Sequence, residues 1–347
     1  MKKIGVGLIG CGDVSERYAE ALRDIEAGEL VAVMDAQKKV AENFGKEFGV
    51  PHTDDLDDVL SDKEIDMVIV AVPHYLHAPI TIQAAGAGKH VMCEKPLATT
   101  LDDGKRMISE CKKAGVKLGV NYALRYHPAS TRAGELLGAK AIGEIFNISM
   151  VSFGFKSETY WTRGYRGRSV TDWRGKWDAS GGGVLMMNFS HYIDLVRHLT
   201  GLEVTRVSAE YGTYGQHSGI EVEDTLNATL MFNNGAIGGI NTSTIAYGSS
   251  GSHVSLLGSQ GQIVLVSEPM KVFTVRDDVG LSPNEWNEFP AKKDIGLSFY
   301  RDMVKDFIDA VIEDRPAPIS GEEGLKCLQV VLSTYQAGRE GGIVEIS

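Results

Sequence analysis

The strongest constraint in this chain is a glycine-bearing junction close to Met1. A short apolar run, Ile4–Ile9, leads into Gly10-Cys11-Gly12-Asp13-Val14-Ser15. An amphipathic stretch, Val14–Glu26, follows with Tyr18, Leu22 and Ile25 on one stripe. A strand that turns at once into a helix leaves unpaired N–H groups and a positive dipole end at the turn, which suits a phosphate. The literal G-x-G-x-x-G, from Gly5 to Gly10, lies inside the strand and is a decoy. In the loop version Gly10 permits the tight turn and Gly12 lets a pyrophosphate approach the backbone. Ser15 stands where a third glycine would serve packing, and a small side chain suffices there. Asp35 ends the next apolar run, Leu30–Met34, 23 residues past Gly12, where an acid accepts hydrogen bonds from an adenosine ribose. These features predict a dinucleotide site built from Gly10, Gly12, Asp13, Val14 and Asp35. The acid favours NAD, because it repels a 2′-phosphate. Lys38 and Lys39 keep NADP open.

The pattern beyond the junction sets the fold class. Helical stretches at 37–48, 77–87 and 101–114 alternate with apolar runs at 65–72, 90–93 and 117–121, which implies a parallel sheet with right-handed crossovers. Asp54, Asp55, Asp57 and Asp58 read as a helix start, where acidic side chains meet the dipole, rather than as a metal site. After about residue 125 strands follow one another: 144–155, 203–213, 222–232, 236–246, 253–257, 262–267 and 271–276, with hairpin turns at Asn234-Gly235 and Gln260-Gly261. The expectation is an α/β Rossmann domain over residues 1–124 and an α+β domain with a large open, mainly antiparallel sheet over 125–347. The closing helices, Ser298–Ile312 and Glu322–Gln336, are free to pack back on the first domain. A core stripe of Phe299, Met303, Phe307 and Val311 is expected on the first of them.

Composition removes other classes. A net charge of −11 argues against a nucleic-acid binder, which needs basic surface. Four scattered cysteines suit a reducing compartment and offer no zinc framework, so no metal is expected. No apolar run reaches the roughly 18 residues of a membrane span. The apolar stretch after Met1-Lys2-Lys3 is too short for a signal peptide and lacks a small-residue cleavage site, so a cytoplasmic chain is expected.

Three further segments carry chemistry. Cys93-Glu94-Lys95-Pro96 follows a strand of the cofactor sheet, and ligands sit at such strand ends. Ser180-Gly181-Gly182-Gly183 opens an apolar helix of about five turns that ends at Gly201. Three successive glycines allow close approach to something, and Asn188 and His191 share a face. Between them, Lys156–Asp178 has a net charge of +3 and holds Trp161, Trp173 and Trp177 with Tyr160 and Tyr165. It reads equally as a substrate cap, with arginines for hydroxyls, carboxylate or phosphate, and as a subunit-interface arm. Tyr160, Trp173 and Arg174 are its candidate substrate contacts. Arg125, Tyr126 and His127, at the domain junction, either touch substrate or brace the hinge.

Taken together, these motifs resemble the GFO/IDH/MocA family of NAD(P)-dependent oxidoreductases. The likeness runs through Gly10-Cys11-Gly12 with Asp35, Ala71-Val72-Pro73 with His77, Glu94-Lys95-Pro96, Asn121-Tyr122-Ala123-Leu124-Arg125, the Gly181–His191 segment and Val222-Glu223-Asp224-Thr225. The resemblance implies that Lys95 touches nicotinamide and substrate, that the bond before Pro96 is cis, and that His191 is the catalytic acid/base. It further implies that Ala71, Pro73, His77, Glu94 and Asn121 line the cofactor, and that the free face of the open sheet joins subunits as a homodimer or homotetramer. Many members carry Asp four residues before the catalytic His. This chain has Met187 there, and Asn188 is expected to orient substrate instead. The resulting reading is a dehydrogenase or reductase for a secondary alcohol of a sugar, sugar derivative or cyclitol. The alternatives are a glycosidase or lyase-type enzyme that oxidises transiently with bound NAD, and a non-catalytic NAD(P)-binding regulator.

Overall fold

A computed structural model describes residues 3–215, 219–248, 251–266, 269–290 and 298–346. They form two compact units, each assembled from separate stretches of chain. The first takes residues 3–123, 157–181 and 298–328; the second takes the described residues of 124–156, 182–290 and 329–346.

The first unit holds a six-stranded sheet. Its strands are β1 (Ile4–Ile9), β2 (Gly28–Met34), β3 (His52–Thr53), β4 (Met67–Val70), β5 (His90–Cys93) and β6 (Leu118–Val120). They lie in the order β3-β2-β1-β4-β5-β6, and every pairing is parallel. The chain direction of winding reverses between β1 and β4, and the crevice at such a switch point, beyond the carboxyl ends of the strands, is where ligands bind. β4 is buried at every residue, as expected for a strand covered on both faces. The glycines inside β1 serve packing: a Cβ at Gly5 would stand 1.7 Å from the Glu64 carbonyl oxygen. The acidic run does start a helix, Leu56–Ser61, in which the Asp55 carboxylate accepts from Asp57 N at 2.9 Å. The helix Ser298–Ile312 lies on this sheet, with Phe307 against Gly119 and Ile308 against Gly28. Its buried stripe is Tyr300, Met303, Val304, Phe307 and Ile308. Phe299 and Val311, expected in the core, are only half-buried, because the stripe is rotated toward Tyr300.

The second unit holds nine strands: β7 (Ile145–Phe153), β8 (Val204–Gly212), β9 (Thr225–Phe232), β10 (Ile237–Ser243), β11 (Ser252–Gly258), β12 (Gly261–Leu265), β13 (Met270–Thr274), β14 (Glu285–Phe289) and β15 (Val344–Glu345). Their order is β14-β13-β12-β11-β7-β10-β9-β8-β15. All pairs are antiparallel except β7 with β10, which lie far apart in sequence and meet in parallel. Alternation is clean on β9, where Leu226, Ala228, Leu230 and Phe232 are buried while Asn227 and Thr229 face outward. Ser267, the end of one expected strand, lies outside the described residues. β14 and β15 carry too little apolar alternation to be read from sequence. The helix Pro128–Gly138, likewise unanticipated, packs Gly134 against Leu199 of the helix Ser190–Thr200. Among the described residues, no helix is long and apolar enough to cross a membrane.

Candidate functional site

In the first unit the glycine turn closes as a small hydrogen-bonded cage. Gly10 has φ +94°, a left-handed conformation that side chains avoid, and a Cβ there would stand 2.3 Å from the Ala71 carbonyl oxygen. At Gly12 a Cβ would meet nothing within 4 Å among the described residues, which leaves the backbone there room for a ligand. Ser15 is fully buried and donates to Gly10 O at 2.7 Å, which explains why a small residue replaces the third glycine. Asp35 accepts from Cys11 N and from Gln37 N, each at 2.9 Å. Two backbone donors thus aim the carboxylate and leave further lone pairs for a ligand. Asp13 keeps one buried carboxylate oxygen without a hydrogen-bond partner among the described residues. Val14 occupies the N-cap position of the helix Ser15–Arg23 without a side-chain cap, among the described residues. An open turn at a helix start and an aimed acid at the end of β2 fit NAD.

The carboxyl end of β5 carries the second element. The Lys95–Pro96 bond is cis. Glu94 is buried, and its Oε1 accepts from Tyr18 Oη at 2.7 Å and from Asn121 Nδ2 at 2.5 Å. Its Oε2 accepts from Lys95 N at 3.1 Å. Asn121 also donates to Tyr18 Oη and accepts from Ala123 N at 3.1 Å. Burial and the neighbouring Glu94 charge push the Tyr18 hydroxyl well above its usual range, so Tyr18 stays a neutral donor. Glu94 and Asn121 therefore build the ledge that holds the backbone of Lys95. Tyr18, by its spacing only a residue of the helix's apolar stripe, is its third member.

His77 lies between two loops of the same edge. Its Nδ1 is 2.7 Å from Pro96 O and its Nε2 is 3.0 Å from Val72 O. Burial pulls its pKa down to about 4, so at neutral pH the ring carries one proton and can donate to only one of those carbonyls. His77 thus ties the loop that holds Ala71 and Pro73 to the loop that holds Lys95, with both ring nitrogens turned to backbone. Beside it, His74 donates from Nδ1 to Ser180 O at 2.7 Å, and its ring lies 4.6 Å from that of Trp173. Burial, with His77 and Lys95 nearby, holds His74 well below its usual pKa and so neutral.

The aromatic segment between the sheet strands belongs to this unit. Residues 157–181 form a strap along the cofactor edge. Arg166 N donates to Asp13 Oδ2 at 2.9 Å, and Gln37 Nε2 donates to Val170 O at 3.3 Å. Arg166 pairs with Glu16, while Arg168 pairs with Glu16 at 2.8 Å and with Glu47 at 2.7 Å. Arg174 stacks over Trp173 and Tyr160, at 4.7 and 5.5 Å. Tyr160 is itself buried against Trp161 and Tyr165. The strap's charge therefore answers acids of its own unit: Arg166 and Arg168 are committed, and the expectation of a set of arginines offered to substrate is reduced to Arg174 and its neighbours.

The second unit carries the triple glycine. A Cβ at Gly183 would stand 1.8 Å from the Glu223 carbonyl oxygen, and one at Gly182 would stand 2.2 Å from Tyr335 Oη. The close approach read from sequence is thus to the chain's own Glu223 and Tyr335. Glu223 Oε2 accepts from Gly183 N at 2.7 Å, and Oε1 accepts from Leu185 N at 2.9 Å and Tyr335 Oη at 2.7 Å. Tyr335 Oη in turn accepts from Met186 N at 3.1 Å. Burial pushes Glu223 up to about 7 against these bonds, which favour the carboxylate. The expected single α-helix is interrupted: Leu185–Phe189 is a π-helical turn, and the α-helix begins at Ser190. Such turns are frequent at functional sites. Asn188 lies within this turn and His191 one residue into the α-helix, both half-buried; Met187 is buried. Arg125 donates to Asp194 through Nε at 2.8 Å and Nη2 at 2.5 Å, a buried bidentate pair that fixes this helix to the segment before Pro128. Glu223 and Tyr335 were missed as site-building residues. The Val222–Thr225 motif marked the place of Glu223 without revealing its partner.

A parallel sheet wound in this order, with an aimed acid and a glycine turn at its switch point, defines an NAD-binding protein. Residues 4–122 match the oxidoreductase family's NAD-binding Rossmann fold, and residues 131–264 match the GFO/IDH/MocA C-terminal domain. The chain belongs to the GFO/IDH/MocA family. It is 29% identical to D-apiose dehydrogenase of Paraburkholderia graminis, over 100% of this chain and 90% of that protein. It is 28% identical to 2,7-anhydro-N-acetylneuraminate hydratase of Escherichia coli, over 75% of this chain and 67% of that one. Among solved structures, the WlbA dehydrogenase from Bordetella pertussis, in complex with NADH and UDP-GlcNAcA, superposes with a TM-score of 0.83 at 28% identity and 99% coverage of both chains.

Proposed function

We propose that this enzyme oxidises a secondary alcohol of a sugar, sugar derivative or cyclitol with NAD. The observation that carries the reading is Lys95 on its buried Glu94–Tyr18–Asn121 ledge, at the carboxyl edge of the sheet whose switch point holds the dinucleotide turn. An ammonium positioned there orients a substrate oxygen and stabilises negative charge that develops on it. His191 takes the hydroxyl proton as general base. Gly10, Gly12, Asp13, Val14 and Asp35 would hold NAD, which would supply the hydride acceptor. Asn188, one helical turn from His191, orients the substrate in place of the family's aspartate. Trp173 and Arg174 contribute an aromatic and a cationic surface to it.

Purified Lys95→Ala and His191→Ala variants are expected to lose most turnover on a responsive sugar while NAD affinity, read by calorimetry, stays close to wild type. Near-normal turnover in both would overturn the assignment.

A second reading is favoured by the strap, whose contacts at Asp13 and Gln37 bracket the dinucleotide motif, and by the hydratase relative. In it the enzyme oxidises transiently, returns the hydride, and releases product without net NADH. A panel of sugars, uronates, sugar phosphates and cyclitols, followed for both NADH and product, separates the two.

A further inference from the structure

The segment that carries Asn188 and His191 opens on a cap supplied from far along the chain. The first four N–H groups of a helix have no partner within it and need acceptors from elsewhere. Here Gly183 N donates to Glu223 Oε2 at 2.7 Å, Val184 N to Glu223 O at 3.0 Å, Leu185 N to Glu223 Oε1 at 2.9 Å, and Met186 N to Tyr335 Oη at 3.1 Å. Tyr335 Oη donates to Glu223 Oε1 at 2.7 Å, so the two acceptors lock each other. Both residues are 1% exposed. Val184, at the N-cap position, makes no side-chain cap bond among the described residues. Gly182 and Gly183 admit Tyr335 and Glu223 because they lack a Cβ.

The far side of the segment is pinned as well. Arg125 holds Asp194 through Nε at 2.8 Å and Nη2 at 2.5 Å. Between the pins, Ser190 Oγ donates to Met186 O at 3.1 Å. The π-helical turn Leu185–Phe189 falls in this interval. A π turn closes i→i+5 rather than i→i+4, so it holds one residue more than an α turn. Its relaxation to α geometry would rotate the residues before it against those after it by up to about 100°, the step of one helical residue. Held at residues 183–186 and at Asp194, the segment keeps the extra residue, and with it the direction of Asn188 relative to His191.

We propose that Glu223 and Tyr335 are positioning residues for the reaction: by capping residues 183–186 they hold the π turn that sets Asn188 against His191. The inference rests on the reading of Asn188 as the substrate-orienting residue and of His191 as the base. Glu223 and Tyr335 act through the backbone, without touching substrate. Their effect therefore falls on turnover and not on NAD affinity. Misplacing an orienting group by about 1 Å is enough to cost up to about a hundredfold in rate.

The test is steady-state kinetics of the full chain on the member of a sugar, uronate, sugar phosphate and cyclitol panel that wild type oxidises fastest. The proteins are wild type, Tyr335→Phe, Asn188→Ala, His191→Ala, the double variant Tyr335→Phe/Asn188→Ala, and Ile240→Val, each checked for native circular dichroism. Tyr335→Phe removes the acceptor at Met186 N and one donor at Glu223, and kcat/KM should fall about tenfold or more. NAD affinity, read by calorimetry, should stay within about twofold, as for an uncoupled site. Added to Asn188→Ala, Tyr335→Phe should cost less than about threefold further, because residues that act through one another are not additive. Ile240→Val thins the core of the same unit and should leave kcat/KM within about twofold. If Tyr335→Phe does not fold, Glu223→Gln takes its place in the cycle. Full additivity with Asn188→Ala, an equal loss in Ile240→Val, or an unchanged Tyr335→Phe overturns the proposal while leaving the catalytic reading intact. Wild-type turnover in both Asn188→Ala and His191→Ala, or a wild type that oxidises nothing in the panel, overturns the underlying reading and the inference with it.

Discussion

Glu223 makes a prediction whose size follows from its surroundings. It is 1% exposed and receives donors from Gly183 N, Leu185 N and Tyr335 Oη, yet burial still pushes its pKa from 4.5 to about 7. Because the folded pKa lies above the unfolded one, the native state holds the proton more tightly. The stabilisation is fully present below pH 4.5 and is lost as pH rises through about 7. At about 1.4 kcal/mol per unit, the full swing is about 3 kcal/mol, of which about 2 to 3 falls between roughly pH 5 and pH 8. A Glu223→Gln variant has a similar shape and cannot titrate. It exchanges one acceptor for a donor, which adds a fixed offset, but its stability lacks this pH dependence. The difference between the two proteins should therefore move in the variant's favour by about 2 to 3 kcal/mol from roughly pH 5 to pH 8, whatever its starting value. In thermal unfolding of a unit of this size the shift is about 5 to 10 °C. The assay is a pair of urea or thermal unfolding series across that range. Parallel curves would refute the reasoning, because they would mean that Glu223 titrates alike in the folded and unfolded chains.

Two further outcomes are expected. Arg125→Met leaves the fully buried Asp194 without its bidentate partner and should cost about 3 to 5 kcal/mol in urea unfolding, while Arg125→Met/Asp194→Leu should recover at least half of that; a strictly additive double variant would exclude a coupled pair. The open sheet is proposed as the self-association face, since Met231, Ile237, Phe273 and Trp286 lie on its outer side. Ile237→Glu should then lower the mass of an oligomer in light scattering, and an unchanged mass would direct attention to another surface.

Much of the fold is written in local pattern. Period-two alternation on β9, the apolar run of β4 and the Asp55 cap each depend on residues a few positions apart, so they are legible without the fold. The same holds for the turn at Gly10 and Gly12 and for the acid at Asp35. β14 and β15 were not legible, because a short or polar edge strand draws its identity from the neighbour it pairs with. The π-helical turn at Leu185–Phe189 has the apolar spacing of an α-helix, and that spacing says nothing of Glu223 and Tyr335, which hold the backbone at Gly183, Leu185 and Met186.

What the amino-acid order determined by itself is therefore the dinucleotide turn, the placement of Lys95 and Pro96 after a sheet strand, and the demand of three glycines for close approach. What tertiary structure alone decided is what those glycines approach and what the aromatic strap touches. Gly183 meets Glu223 40 residues away, and Arg168 meets Glu47 at 121 residues and Glu16 at 152. Charge partners at such separations leave no periodicity in the sequence. They are selected when folding brings two chain segments within hydrogen-bond reach, and that selection paired the arginines of a basic segment, read equally as a substrate cap and as a subunit-interface arm, with acids of its own unit.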